Sequence, residues 1–331
     1  MIGTIHGAGS YVYHAYKTNE RITLDGKPDE PVWSHVNSVM KLSLASGQGS
    51  NAVVTHADSI SNIFCKAVWD SASVFFYVWV DEKTVWNQRK GRDTLGFWME
   101  NAVEIYLDDI GDNKNFMECD LAPNGSITDI FNAAKYSGTG NNTVLGYDIA
   151  GIATGVWVRG TLASTYSLAA PENTDKDSGF GMEIKIPFAS LKQIGPSHID
   201  IMGNNFHTPP HNNDSCRVNL FYTSCPPKAG IPDNNDRVNF AWDTDVGIDF
   251  HETSKFGSMF FIDSLLPTTR ISRARFEENP SLPRKGRPLK VKASGSHLVL
   301  FSSPAEVAEP RCRVFSASGT CVKELAPISA R

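Results

Sequence analysis

The chain has 331 residues, 41% hydrophobic and 20% charged, enough apolar material to bury a full core and more length than one ordinary domain needs. A formal net charge of -5 without a dense polybasic block argues against nucleic acid as a partner. No run of about 18 apolar residues occurs, so no membrane-spanning helix is expected.

The opening MIGTIHGAGSYVYH lacks the basic start and apolar run of a secretory signal. Either the protein stays inside the cell or its signal was removed ahead of this numbering. Residues 1–17 read as an N-terminal arm, and strand-like text begins after them. FCKAVWD and VFFYVWVDE are aromatic and β-branched, and Asp70, Ser71, Ala72 and Ser73 between them supply turn chemistry. This predicts an antiparallel hairpin in which Trp69 and Trp79 are core residues.

Further along, Val103, Ile105 and Leu107 alternate with Glu104, Tyr106 and Asp108, which predicts one buried and one polar strand face. The run from Asp108 to Asn115 gathers oxygen ligands around a turn. Asp108, Asp109 and Asp112 are therefore candidate calcium ligands, although the full EF-hand pattern is missing. FMECDLA, SITDIF, GVWVRGTLA, GMEIKIPF, CRVNLFYTS and VNFAWDT continue the same short, turn-bounded pattern. With no sustained helical period, the expected fold is all-β: a two-sheet antiparallel β-sandwich of jelly-roll or immunoglobulin-like type over residues 18–265.

Residues 266–288 mix arginine and proline and read as a linker. Residues 289–331 return to strand text as a small C-terminal β unit, where a tight turn at Ser318 and Gly319 would set Cys312 opposite Cys321 for a disulfide. Cys65 and Cys119, flanked by strand residues, read as small buried hydrophobes. No pair of carboxylates, nucleophile elbow, P-loop or dinucleotide fingerprint stands out, so no enzymatic activity is expected.

Taken in order, ITLDGKPDEPVW, CKAVWDSASVFFYVWVDE, FWMENAVEIYLDD, NFMECDLAPNGSITD, GFGMEIKIPFASL, RVNLFYTS, FAWDT and FHETSKFG resemble the family 9 carbohydrate-binding modules over about 250 residues. The resemblance implies a non-catalytic, secreted or cell-surface protein that binds polysaccharide or oligosaccharide, in some cases beside a glycoside hydrolase, and often with structural calcium. By motif position it implies Trp98 and Phe250 as aromatic rings that sandwich a sugar, and Glu104 as the carboxylate that holds its hydroxyls. Two departures stand out: Phe250 replaces a tryptophan, and Glu118-Cys119-Asp120 stands where sugar binders offer a basic side chain. The C-terminal VFSASGTCVKEL faintly resembles immunoglobulin-like bacterial sorting tails, here cut short. The alternative to sugar binding is a surface or filament subunit, a homo-oligomer in which the arm from Gly3 to Lys17 or the truncated C-terminal unit adds a strand to a neighbouring copy.

Overall fold

The computed structural model describes residues 11–45, 60–135, 143–144, 147–165, 176–191, 207–225, 237–247 and 249–266, and the backbone of strands at 290–294, 297–301, 312–315 and 321–325. The chain divides into two units, Met1–Arg270 and Ile271–Arg331.

The first unit begins with β1 (Val12–Lys17), the helix α1 (Pro31–His35), β2 (Met40–Lys41) and β3 (Ser43–Leu44). The predicted hairpin follows as β4 (Ile63–Trp69) and β5 (Ser73–Val80), paired antiparallel with Trp69 opposite Val74. Its turn is closed by the Asp70 carboxylate, which accepts from the Ala72 and Ser73 amides at 2.7 and 2.8 Å. Next come β6 (Ala102–Asp108), β7 (Phe116–Leu121), β8 (Ile127–Asn132), β9 (Thr143–Val144), β10 (Ala153–Val158) and β11 (Phe180–Pro187). The unit ends with β12 (Ser215–Ser224), β13 (Val238–Ala241) and β14 (Gly257–Leu265).

These strands form one continuous hydrogen-bonded path, β10-β11-β5-β4-β1-β14-β12-β6-β7-β8-β9, folded over into two layers. The core lies between two layers. Phe76 and Val78 of β5 and Met182 and Ile184 of β11 come from one half, and Ile105 of β6, Cys119 of β7 and Leu220 of β12 from the other; all belong to a single buried cluster. The architecture is thus an all-β sandwich. Cys65 and Cys119 are fully buried within it, as free thiols.

The strand joining the two halves departs from expectation. Val12–Lys17, read as part of an arm, is β1, and it runs parallel to β4 on one side and to β14 on the other. Apolar spacing explains this: Tyr13 and Ala15 point into the core while Val12 and His14 face out. Residues 12–17 pair with β14 along their length, and Tyr16 and Lys17 pair with β4 as well. The earlier part of the arm, residues 1–10, lies outside the described residues.

Trp69 is buried as predicted, whereas Trp79 is only partly buried, packed against the cluster that holds Trp33, Val68 and Tyr77. It sits on the outer face of β5, half-exposed, where the Arg159 guanidinium lies 5.7 Å from its ring centroid. Among the described residues, no helix is long and apolar enough to cross a membrane.

The second unit is a four-stranded antiparallel sheet of β15 (Lys290–Ser294), β16 (His297–Phe301), β17 (Cys312–Phe315) and β18 (Cys321–Leu325). Here the hairpin of β17 and β18 exists, but its register sets Cys312 opposite Leu325 and Cys321 opposite Phe315. The two cysteines are therefore offset by three strand positions, about 10 Å, beyond disulfide reach. The stretch expected to link the two units lies, from residue 267 onward, outside the described residues.

Candidate functional site

Strand β6 is where sequence reading and structure diverge most usefully. Val103, Ile105 and Leu107 point into the core as the alternation predicts. Glu104, Tyr106 and Asp108 on the other face are buried as well, at 2%, 1% and 1% exposure. The reason is a third layer of chain. Val246, Phe250 and Phe256, from the segment between β13 and β14, pack with Tyr106, Phe116 and Phe221 into a separate aromatic cluster over the sheet's outer face.

Register brings the acidic side chains together on that face. Glu104 of β6 lies opposite Asp120 of β7, and Tyr106 lies opposite Glu118. Residues directly opposite in an antiparallel pair share a face, so three carboxylates converge. Glu104, Glu118 and Asp120 each present an oxygen within 4.8 Å of the other two, and all three are buried.

The surrounding donors are unevenly distributed. The Tyr106 hydroxyl lies 3.1 Å from Glu104 Oε2 and 2.9 Å from Glu118 Oε1, and its single proton serves only one of them at a time. Thr223 Oγ1 donates to Glu104 at 3.0 Å, and Asn132 Nδ2 donates to Glu118 at 2.9 Å. His251 Nε2 lies 3.1 Å from Glu118 Oε2. Neither oxygen of Asp120 has a hydrogen-bond partner among the described residues, although the residue is 1% exposed.

The electrostatics follow. Burial, reinforced by the Glu118 charge, pushes the Glu104 carboxyl up to about 7. Burial and the charges of Glu104 and Glu118 push Asp120 well above the ordinary carboxylate range. At Glu118 burial acts upward too, but the hydrogen bond and charge of His251 outweigh it and hold the group below its usual value. His251 is raised in turn, because Glu118 outweighs the effect of burial on the imidazole.

The three residues singled out for sugar contact reach this region by different routes. Glu104 lies opposite Phe221 of β12, and the Phe250 ring stacks on Phe221 with centroids 4.0 Å apart and planes at 21°. Glu104 and Phe250 are thus neighbours on one face through Phe221. Phe250 is 6% exposed, and the Arg237 guanidinium lies 5.8 Å from its centroid. Trp98 sits on the 3-10 turn Phe97–Met99 that feeds β6, entered through Gly96 at φ 100. Its carbonyl accepts a long contact of 3.9 Å from the Cys225 thiol just beyond β12, and its side chain alone of the three is half-exposed.

The turn is anchored by Glu100, whose carboxylate binds the Arg89 guanidinium at 2.6 Å and accepts from the Gln88 amide at 3.0 Å.

The expected calcium residues do not assemble. Asp108 folds onto its own turn, accepting from the Ile110 and Gly111 amides at 3.0 and 2.9 Å and from the Thr253 hydroxyl. Asp112 accepts from the Lys114 amide at 3.1 Å, and Asp109 is half-buried beside this turn. Hydrogen bonds within a turn thus occupy the lone pairs that a cation would need. Among the described residues the group with ligand spacing is Glu104, Glu118 and Asp120. Glu118 and Asp120 were visible in the sequence only as an acidic substitution where a basic residue was expected. Tyr106, Thr223 and His251 carried no signal.

No protein-family model matches the sequence, and no curated protein matches it. Among solved structures, a family 9 carbohydrate-binding module from Caldicellulosiruptor kristjanssonii in complex with cellotriose is 14% identical, with 76% of this chain and 94% of that one covered and a TM-score of 0.45. A structure of a family 9 module from the same organism with glucose is 13% identical, covers 76% and 96%, and has a TM-score of 0.42. A candidate carbohydrate-binding protein from Bacteroides uniformis is 13% identical, covers 76% and 99%, and has a TM-score of 0.48. At such identities a neighbour's ligand does not pass to this chain.

Proposed function

We propose that the first unit is a non-catalytic carbohydrate-binding module of a secreted or cell-surface protein, holding its host or a partner hydrolase on polysaccharide. The observation that supports the reading is the meeting of Glu104 and Phe250 through Phe221 on one outward face, with half-exposed Trp98 on the turn that enters the same strand. A pyranose packs its C-H patches on a flat ring and needs fixed acceptors for its hydroxyls. In this reading the half-exposed Trp98 indole is the stacking surface, while Glu104 and Phe250, both buried, support the strand face behind it and do not touch the sugar. Binding is favoured over hydrolysis because the clustered carboxylates lie under an aromatic layer, not across a cleft that admits a glycosidic bond.

Affinity electrophoresis through gels containing soluble polysaccharides tests this directly. Trp98→Ala is expected to weaken retention at least about tenfold, the loss of one stacking contact of roughly 1.5 kcal/mol. Because Trp98 lies outside the core clusters, the variant should keep the thermal midpoint of the parent. Parental retention of Trp98→Ala on every polysaccharide bound would reject the site.

A further inference from the structure

The geometry points to a calcium site on the outer face of β6 and β7, with Glu104, Glu118 and Asp120 as its carboxylate ligands. The inference uses the same face as the proposed sugar site but stands whether or not a sugar binds.

Distance comes first. Calcium takes oxygen ligands at about 2.4 Å, so two oxygens on one ion lie at most about 4.8 Å apart. The oxygens of these three residues lie within 4.8 Å of one another.

Charge comes second. Three buried carboxylates in one pocket repel, and leaving them without a counter-charge is costly. His251 faces Glu118 at 3.1 Å and offsets one of them. The Arg237 charge acts on Glu104 from further off, which leaves Asp120 as the carboxylate with no counter-charge, and a divalent ion would supply one.

The third observation is the most specific. Asp120 is 1% exposed, and among the described residues both of its oxygens lack a hydrogen-bond partner while one of them points into the cluster. Buried carboxylate oxygens are almost always paired, so this acceptor is set for a group the protein itself does not supply. The oxygen-only donor set suits a hard cation and disfavours zinc, which prefers nitrogen and sulfur. Burial disfavours magnesium, which keeps several waters. The neighbouring Tyr106 and Thr223 hydroxyls, at 2.9 to 3.1 Å from Glu104 and Glu118, orient the carboxylates as outer partners of a metal site do.

The test uses the full chain and no saccharide. Protein freed of metal with a chelator is titrated with calcium and, separately, with terbium, whose luminescence the Tyr106 phenol would sensitise. The expected result is saturable binding and a rise of several degrees in thermal midpoint with calcium. Asp120→Asn should weaken that binding at least tenfold and remove the thermal rise, and Glu118→Gln should do the same. Asp120→Asn removes a buried charge at nearly constant shape, so without calcium its midpoint should equal or exceed that of the chelated parent. Absence of calcium and terbium binding at millimolar concentration overturns the inference, with a bound proton then neutralising Asp120. Parental binding by both variants overturns it as well. The Trp98→Ala retention result is independent of either outcome.

Discussion

Glu183→Ala is expected to be among the most destabilising single substitutions in the sandwich. Glu183 lies on the outer face of β11, fully buried, and ties down the segment that carries the ITLDGKPDEPVW text. Its Oε2 accepts from the Asp25 and Gly26 amides at 2.9 and 3.0 Å, and its Oε1 accepts from the Trp33 indole at 2.8 Å. Truncation leaves the buried Gly26 amide and Trp33 indole without an acceptor, while the Asp25 amide keeps its bond to the Thr23 carbonyl, and it opens a gap beneath Trp33. With each orphaned donor costing about 1–3 kcal/mol, the expected loss is about 3 kcal/mol or more, a fall in midpoint of roughly 6–12 °C. Differential scanning calorimetry measures it; a change under about 1 kcal/mol would mean that Glu183 does not hold this segment. The same residue sets a pH dependence. Burial pushes its carboxyl up to about 7, against the pull of the three donors and above an unfolded value of about 4.3. A raised carboxyl favours folding in its protonated form. Its contribution is complete below pH 4 or so and is lost as pH rises through about 7, and Glu183→Ala should lack that part of the decline.

Gly155→Ala should cost as much by the opposite mechanism. Strand β10 passes so close to the Leu24 backbone that a Cβ at Gly155 would stand 2.1 Å from the Leu24 carbonyl oxygen and 2.5 Å from the Asp25 nitrogen. Backbone cannot rotate away as a side chain does, so β10 or the segment at 24–26 has to shift. Overpacking of this kind costs about 3 kcal/mol or more. Gly125→Ala is the matched control: φ is +82, but nothing lies within 4 Å of the added carbon. There only the left-handed backbone is penalised, at roughly 1–2 kcal/mol. Equal losses at the two sites in chemical denaturation would show that close approach at Gly155 is unimportant.

Local features of the fold were legible because they depend on short-range chemistry. Asp70 closes the turn of the β4 and β5 hairpin, and the alternation of Val103, Ile105 and Leu107 assigns the inward face of β6. Features that depend on distant chain were not legible. The outer face of β6 looks solvent-exposed from its own residues, and Val246, Phe250 and Phe256, far along the sequence, cover it. The opening residues read as an arm because parallel pairing with β4 and β14 leaves no local mark. Cys312 and Cys321 flank a recognisable turn, yet the hairpin register sets Cys312 opposite Leu325 and keeps the two apart. The calcium residues at Asp108, Asp109 and Asp112 had composition in their favour and geometry against them. The acidic cluster arises the other way, from the register of two strands that each contribute ordinary carboxylates.

In the proposed function the sandwich holds a sugar against Trp98. A saccharide titration followed by indole fluorescence, run on the parent and on Trp98→Ala after screening immobilised glycans, addresses it most directly. A saturable spectral change with at least one glycan, absent in the variant, is the predicted outcome. Retention of no glycan by the parent, or an identical titration curve in the variant, contradicts it.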